Sequence, residues 1–316
     1  AHSRLWQRTP DMVRSGRVLR ASVKSPKYRK RGISMDREKD TWSYVNKWYL
    51  IIPLAFLTFF FVAPLVKMFY LSLFRFNGVN KPLGAFTLSN YDKFLKDGYY
   101  WGVLGKTVGL SFLSAIICVV LGYPISYHLS RMQGKKKSII TAMVMLPLWV
   151  SITVRMFGLM TMIECGTYLA VEIGLVYCGL PYMIMILTGP IGNVSQSVEE
   201  ASYVCGAGFW ETFFKITFPL TIKGVISGFM LVFALNTAAF VVPVMLGSGK
   251  IVTMTTLIYQ QATYIYDWGF AAAISVIFLI VSMALTNSGK LYDIYCEKRA
   301  ERSSRILRDE LRREGE

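Results

Sequence analysis

The chain has 316 residues, of which 53% are hydrophobic and only 17% are charged. Soluble domains carry about 25% charged residues, so this composition excludes an ordinary soluble enzyme and also a disordered chain. The formal net charge is +16. In a soluble protein that surplus would indicate a nucleic-acid partner, so the position of the charges along the chain has to decide.

Six stretches are long and apolar enough to cross roughly 30 Å of hydrocarbon, for which about 20 residues are needed. The sequence therefore predicts an all-α polytopic membrane protein with six transmembrane helices. Only residues 164–167 separate the third stretch from the fourth, which leaves open one long kinked segment or residues missing between the two. The six stretches lie at about 48–74, 104–130, 138–163, 168–189, 223–246 and 268–291.

Lys and Arg are distributed very unevenly between the segments outside these stretches. The loops at 75–103 and 247–267 carry 5 of them, whereas 27 lie in the other four segments, 1–47, 131–137, 190–223 and 290–316. Cytoplasmic segments of membrane proteins are the ones rich in Lys and Arg. Both termini and the two basic loops are therefore predicted to be cytoplasmic, and alternation through six spans gives the same orientation.

Two segments flank the predicted membrane domain at 48–291: a basic cytoplasmic arm at 1–47 and a charged cytoplasmic tail at 292–316. The basic run at 24–31 is interpreted as a solvated segment beside anionic membrane lipid, so no nucleic-acid partner is predicted. The first apolar stretch follows about 47 polar residues and is too long for a signal peptide.

The sequence lacks the motifs of an enzyme or of a metal protein. No phosphate-binding G-x-x-x-x-G-K-[ST] string is present, the five cysteines form no C-x-x-C pair, and there are two histidines. No cofactor or metal is therefore predicted for this chain. If ATP drives transport, another polypeptide must supply the nucleotide site.

The predicted cytoplasmic loop at 190–222 carries the most informative pattern. Ser197 followed by Glu200 has capping-box spacing, which predicts a helix from Val198 that ends at Gly206. A second short helix with several aromatic residues follows, and Pro219 is predicted to stop it. Such a helix–glycine–helix element is too short to span a membrane, so it either lies on the membrane or docks into a partner.

The same loop resembles the EAA loop of binding-protein-dependent ABC importer permeases. Glu200-Ala201-Ser202 is followed after three residues by Gly206, and after nine more by a segment that ends at Pro219. Ser202 stands where the pattern has a second alanine, and Phe218 where it has leucine. The resemblance implies the type I importer permease fold and a loop that couples to an ATPase through Glu199, Glu200, Ala201, Gly206, Trp210, Ile216 and Pro219.

The resemblance also implies the partners of the chain. These are two ABC ATPase subunits that hold ATP and Mg, a second permease subunit that completes the pore, with a heterodimer favoured, and an external solute-binding protein. Membrane lipid surrounds the helices, and the location is a bacterial cytoplasmic (inner) membrane. A channel or scaffold without ATP coupling and a membrane enzyme are the alternatives from other classes.

The strings at 146–155, 240–250 and 256–261 are most similar to the spermidine/putrescine permease branch. A polyamine is therefore the favoured solute, and an opine, an aminophosphonate or another small solute is the alternative. The branch usually has a longer external connection where this chain has 164–167, so substrate handling can differ here.

Polar residues at membrane depth are candidates for the substrate pathway. Arg155 lies about 27 Å of straight helix from Lys137, near the external rim, where it snorkels or pairs with Glu164 or Glu172. Asn236 lies nearer the middle of the membrane, where its side chain either forms an interhelical hydrogen bond or lines the pathway. Four further candidates flank the external mouth, the last of them also a membrane-interface anchor: Tyr259, Gln260, Asp267 and Trp268.

Overall fold

The computed structural model describes residues 47–75 and 84–287, with the backbone alone for 47–50. The predicted arm at 1–47, except its last residue, and the tail at 292–316 lie outside the described residues. The chain divides into two units, Ala1–Phe59 and Phe60–Glu316. The described part of the first unit is helical.

Within the described ranges the regular structure is helical, apart from one antiparallel bridge between Phe74 and Phe86. We number the helices in chain order. They are α1 Lys47–Ser72, α2 Ser89–Lys96, α3 Gly98–Arg131, α4 Gly134–Trp149, α5 Ile152–Met160, α6 Tyr168–Gly192, α7 Gln196–Val204, α8 Phe209–Thr237, α9 Val241–Leu246, α10 Met254–Thr263 and α11 Trp268–Asn287.

Five helices among the described residues are long and apolar enough to cross a membrane, namely α1, α3, α6, α8 and α11. A sixth span results if α4 and α5 are counted together, although the two are bent by 89° at their junction. The prediction of a helical membrane protein is confirmed, and the predicted six spans are reached only if α4 and α5 count as one broken span. The prediction of one uninterrupted third span at 138–163 is wrong.

The break between α4 and α5 has a local cause. Pro147 lies in the last turn of α4, and Val150 and Ser151 both adopt extended backbone angles (ψ 136° for each) before α5 begins. The N–H of Val150 donates to the carbonyl of Pro147, only three residues back, and the two extended residues then end the helical path. The depth estimate for Arg155 assumed a straight helix and therefore does not hold.

The predicted fifth span at 223–246 is also wrong in its bounds. Helix α8 begins at Phe209 and ends at Thr237, and α9 starts after a short break. In one continuous helix Pro243 would lie in the interior and its ring would clash with the carbonyl group of Ala239. A new helix at Val241 places Pro243 in its first turn, where no N–H partner is required.

The centre of the second unit is formed by α3, α6 and α8, which pack against one another. Small residues permit the close approach of α8 to α6. A Cβ atom at Gly224 would lie 2.5 Å from Pro190, and one at Gly228 would lie 2.9 Å from the Met183 sulfur. The buried side chains between the three helices include Ala115, Cys118, Met183, Leu187, Val232 and Phe233.

Helix α3 also carries a buried row of small polar side chains that bond to its neighbours. The N–H of Met254 at the start of α10 donates to Thr107 Oγ1 (2.9 Å), and Ser126 Oγ donates to the carbonyl of Ile184 in α6 (3.1 Å). Tyr123 shares a 2.8 Å hydrogen bond with Thr221 of α8. Such bonds satisfy polar groups that hydrocarbon cannot solvate, and they define the order of the helices around α3.

Candidate coupling loop and candidate solute cleft

Helix α7 starts at Gln196, with Ser195 as the residue that precedes it. The predicted start at Val198 and the predicted capping box between Ser197 and Glu200 are therefore wrong. Ser195 and Ser197 share a 2.7 Å hydrogen bond between their hydroxyl groups. Because that bond occupies the Ser197 side chain and the helix begins earlier, Ser197 cannot act as the cap.

The end of α7 follows the prediction. Gly206 has φ +87°, a conformation that glycine adopts without a steric penalty. Its N–H donates to the carbonyl of Tyr203, and the N–H of Ala207 donates to the carbonyl of Ser202. These two bonds form a Schellman motif, which satisfies carbonyl groups left open at the end of a helix.

Pro219 does not stop the second helix of the loop, contrary to the prediction. The helical path from Phe209 runs through a π-helical turn, Phe213–Thr217, and continues to Thr237. In that turn the N–H of Phe218 donates to the carbonyl of Phe213, five residues back. The wider turn directly before Pro219 accommodates a residue without an N–H, so the aromatic segment is the first part of membrane helix α8.

Glu199 points into the protein, where it bonds to three residues on two other helices, α3 and α8. Its side chain is only 8% exposed and lies 2.6 Å from Arg131 Nη2. Thr217 Oγ1 donates to the same carboxylate oxygen (2.8 Å), and Tyr127 OH donates to the other one (3.1 Å). We refer to Tyr127, Arg131, Glu199 and Thr217 as the Glu199 cluster; the sequence analysis had named only Glu199 among them.

Most of the other loop residues that the resemblance singles out face outward. Glu200 and Ala201 are exposed, as is Pro219, and Ile216 is half-buried. Trp210 is 68% exposed, and its ring stacks on that of Phe214 with the centroids 6.1 Å apart. The exposed apolar side chains of this surface are Tyr203, Val204, Phe209, Trp210 and Phe214. Together with Glu200 they offer an apolar surface with an acidic group at its edge.

Among the pathway candidates, Asn236 has a clear structural role. It is buried, and its side-chain amide donates to Ser114 Oγ in α3 (2.7 Å). Ser114 Oγ in turn donates to the carbonyl of Ser111. The sequence left two roles open for Asn236, an interhelical hydrogen bond or a place in the solute pathway, and this bond is the first of them.

Arg155 and Glu172 do not pair with each other. Neither oxygen of the buried Glu172 carboxylate has a hydrogen-bond partner, and neither have Nε and Nη1 of Arg155. Arg155 lies over the ring of Tyr177, with its guanidinium carbon 5.7 Å from the ring centroid. Glu164 is exposed and forms no ion pair within the described ranges. The predicted pairing of Arg155 with either acid is thus not formed.

Asp267 and Trp268 lie at the start of α11. Asp267 Oδ1 accepts a hydrogen bond from the N–H of Phe270 (2.9 Å), so this carboxylate caps the helix. The residue before it, Tyr266, has φ +62°. Trp268 is exposed at the first position of the apolar helix, a location that suits an anchor at the membrane interface.

Tyr259 and Gln260 line a cleft of about 220 Å³ between α9, α10 and the segment that joins them. Tyr259 is flanked by two aromatic rings, those of Phe240 (4.9 Å between centroids) and Tyr264 (5.9 Å). The sequence analysis missed Tyr264, whose side chain is 72% exposed. The full lining is Pro243, Val244, Gly249, Ile251, Thr256, Tyr259, Gln260 and Tyr264.

The described residues contain no group of three His, Cys, Asp or Glu side chains that could hold a metal ion. The long apolar helices, together with a helix–glycine–helix loop at the ends of α3 and α6, define a multi-pass helical membrane protein. Residues 122–293 match the binding-protein-dependent transport system inner membrane component family. The chain belongs to this family.

Characterised relatives are permease proteins. The chain is 31% identical over 218 residues to the spermidine/putrescine transport system permease protein PotB of Escherichia coli (strain K12), a match covering 62% of this chain and 79% of the relative. The Haemophilus influenzae protein of the same name is 29% identical over 252 residues (73% and 87%). The probable sulfate transport system permease protein cysT of Chlorella vulgaris is 26% identical over 199 residues (56% and 73%).

Solved structures with the same fold are ABC transporters. A bacterial transporter involved in the import of the acidic polysaccharide alginate matches with a TM-score of 0.64 at 13% identity, covering 81% of this chain and 98% of that one. The MetNI methionine transporter matches with a TM-score of 0.53 at 15% identity (62% and 97%). The chain is thus a permease of a bacterial inner-membrane transport system and not an enzyme, and it has the fold of ABC importer permeases.

Proposed function

We propose that the chain forms half of the translocation pore of an ATP-driven importer for a small charged solute, with a polyamine such as spermidine or putrescine favoured. An external solute-binding protein delivers the solute. Two ATPase subunits bind ATP and Mg and drive the pore between outward and inward access. A second permease subunit, different from this one, completes the pore.

The observation that carries the proposal is the outward surface of the 194–219 loop. It presents Glu200 and exposed rings, among them Trp210 and Phe214, beyond the glycine turn at Gly206. Apolar surface of this kind at the end of a membrane bundle is typical of a site that docks a partner protein. Since hydrolysis belongs to separate subunits in this family, the ATPase is the partner that this surface fits.

The orientation that we propose for the loop rests on the contact between Arg131 and Glu199. Arg131, from the basic segment at 131–137, bonds to Glu199 in the 190–223 segment, so two of the segments rich in Lys and Arg meet at one end of the bundle. A common side for both segments supports a cytoplasmic location for the loop and for the two termini.

The solute proposal is supported by the relatives and by the cleft. The relatives named as spermidine/putrescine permeases cover the larger part of this chain. In the cleft, the rings of Tyr259 and Tyr264 can contact an ammonium group through cation–π interactions worth about 0.5–2 kcal/mol each. The side-chain amide oxygen of Gln260 can accept a hydrogen bond from the same group.

A second candidate is an anionic opine or aminophosphonate. Nε and Nη1 of Arg155 are buried without a hydrogen-bond partner. A guanidinium group with free donors recognises a carboxylate or a phosphonate through paired hydrogen bonds. This group would not attract a polyamine.

The test is uptake of radiolabelled putrescine and spermidine in a strain without other importers, with and without an excess of an opine or an aminophosphonate. Tyr264→Ala and Glu172→Gln are measured beside the wild type, with Tyr168→Ala as an exposed tyrosine outside the cleft. The proposal is supported if the strain takes up an amine and Tyr264→Ala takes it up more slowly than the wild type. Uptake of a sugar or an inorganic anion, with no uptake of either amine, would contradict the polyamine assignment. The assignment of the chain as a permease would still stand.

Composition is tested by mass measurement of the purified complex. Two different permease masses with two ATPase copies support the heterodimer. One permease mass present in two copies contradicts it.

A further inference from the structure

The Glu199 cluster joins three elements that are distant in the sequence. Glu199 lies in the first turn of α7, Tyr127 and Arg131 form the end of α3, and Thr217 closes the π-helical turn of α8. All three residues donate to the one carboxylate. Both carboxylate oxygens are thereby engaged, and the side chain cannot rotate outward without losing all three bonds.

Arg131 holds α7 at a second point. Its Nη1 donates to the carbonyl of Val194 (2.8 Å), two residues before the helix begins, while its Nη2 bonds to Glu199. The guanidinium plane also lies over the ring of Tyr127, 5.4 Å from the centroid. One arginine at the end of a membrane helix therefore fixes both the entry and the first turn of α7.

Neighbouring acids face opposite ways. Glu199 is buried in the cluster, whereas Glu200 is exposed on the outer surface of the loop. A contact with a partner protein is available to Glu200 only. The resemblance assigns both acids to ATPase coupling, and their opposite orientations suit different parts in it.

We propose that Glu199 and Arg131 are positioning residues that connect α7 rigidly to α3 and α8. A displacement imposed on the outer surface of the loop then moves the membrane helices instead of moving α7 alone. The inference rests on the proposed function of the loop as the site of ATPase coupling. It assigns to Tyr127 and Thr217 the role of holding the carboxylate in place.

The physical basis is the cost of breaking a buried ion pair. Removal of one partner leaves the other charge buried without compensation, which is strongly destabilising. The bonds of the cluster are therefore expected to form together or break together. A connection of this kind transmits motion because a packed element held by several hydrogen bonds to one carboxylate has few other arrangements.

The experiment uses the complete transporter with all of its subunits, reconstituted in lipid vesicles. Glu199→Gln keeps the shape of the side chain and removes its charge, and Glu200→Gln is the matched control at the next position. Three quantities are measured: retention of the ATPase during purification, hydrogen exchange of residues 194–204, and amine uptake per ATP hydrolysed.

Glu199→Gln is expected to retain the ATPase, to raise hydrogen exchange in 194–204, and to lower uptake per ATP by about tenfold. Glu200→Gln is expected to leave the exchange unchanged and to weaken ATPase retention. Wild-type exchange and wild-type uptake per ATP in Glu199→Gln would overturn the inference. So would loss of the ATPase from Glu199→Gln, since Glu199 would then contact the partner.

Milder variants cover the case in which Glu199→Gln fails to accumulate in the membrane. Tyr127→Phe and Thr217→Val each remove one hydrogen bond to the carboxylate and keep the side-chain shape. Raised exchange in 194–204 in both supports the inference, and wild-type behaviour in both overturns it. A wild-type transporter without ATP-dependent amine uptake contradicts the proposed function, while the exchange measurement still tests the cluster.

Discussion

The side-chain amide of Asn236 donates to the hydroxyl of Ser114 across 2.7 Å, although the two residues are 122 positions apart. The bond joins α8 to α3 inside the membrane domain, and both residues are buried. It belongs to the row of polar groups on α3 that determines which helix lies beside which. The following predictions concern this packing and the loop that it supports.

The first prediction is that the Asn236–Ser114 bond makes a measurable contribution to stability. Interhelical hydrogen bonds in membrane proteins average about 0.6 kcal/mol in double-mutant cycles. We expect a coupling of about that size between Asn236→Ala and Ser114→Ala in unfolding of the purified protein in detergent. Additive effects of the two substitutions would show that the bond contributes nothing.

The second prediction concerns the close contact of α8 with α6. Gly224→Val would place side-chain atoms against Pro190, where a Cβ atom alone already lies at 2.5 Å. Overpacking of this kind costs about 1–3 kcal/mol, so the apparent melting temperature should fall. Gly109→Val is the control, because a Cβ atom there meets nothing within 4 Å. Equal losses in the two variants would contradict the packing.

A third prediction concerns the turn of the loop. Gly206→Pro is expected to abolish uptake with the protein still present in the membrane, because proline requires φ near −65° and removes the N–H that donates to Tyr203. Gly206→Ala should cost about 1 kcal/mol and lower uptake less. Gly208→Ala is the control, since Gly208 has φ −77°. Normal uptake by Gly206→Pro at normal expression would remove the turn from the coupling mechanism.

The fourth prediction tests the outer surface of the loop. Trp210→Ala removes an exposed ring next to Phe214, and buried aromatic anchors at interfaces typically contribute about 2 kcal/mol or more. We expect the ATPase to be lost during purification of this variant. Trp149→Ala is the matched control, because Trp149 is 84% exposed but lies at the end of α4, away from the loop in sequence. Equal ATPase retention in both variants would contradict docking at Trp210.

Pro147, Pro219 and Pro243 show where sequence reasoning succeeds and where it fails. The spans predicted at 138–163 and 223–246 ran through Pro147 and Pro243, whereas Pro219 was predicted to end a helix, and the outcome differs at each. The chain bends at Pro147, starts a new helix near Pro243, and continues through Pro219 by means of a π-helical turn. The sequence names the residue that disturbs a helix, whereas packing against neighbouring helices selects among a bend, a break and a wider turn.

The class of the protein could be predicted from the sequence: its apolar stretches predicted a helical membrane protein, and the spacing from Glu200 through Gly206 to Pro219 resembles that of an importer permease loop. These are local properties, because helix length, hydropathy and a glycine with positive φ depend on a few consecutive residues. The sequence could not predict that Glu199 faces inward to Arg131, that Arg155 and Glu172 stay apart, or that Tyr259 shares a cleft with Tyr264. Each of these depends on how helices distant in the chain are rotated against one another. Rotation of that kind follows from the packing and hydrogen bonds of the whole bundle, and no single segment encodes it.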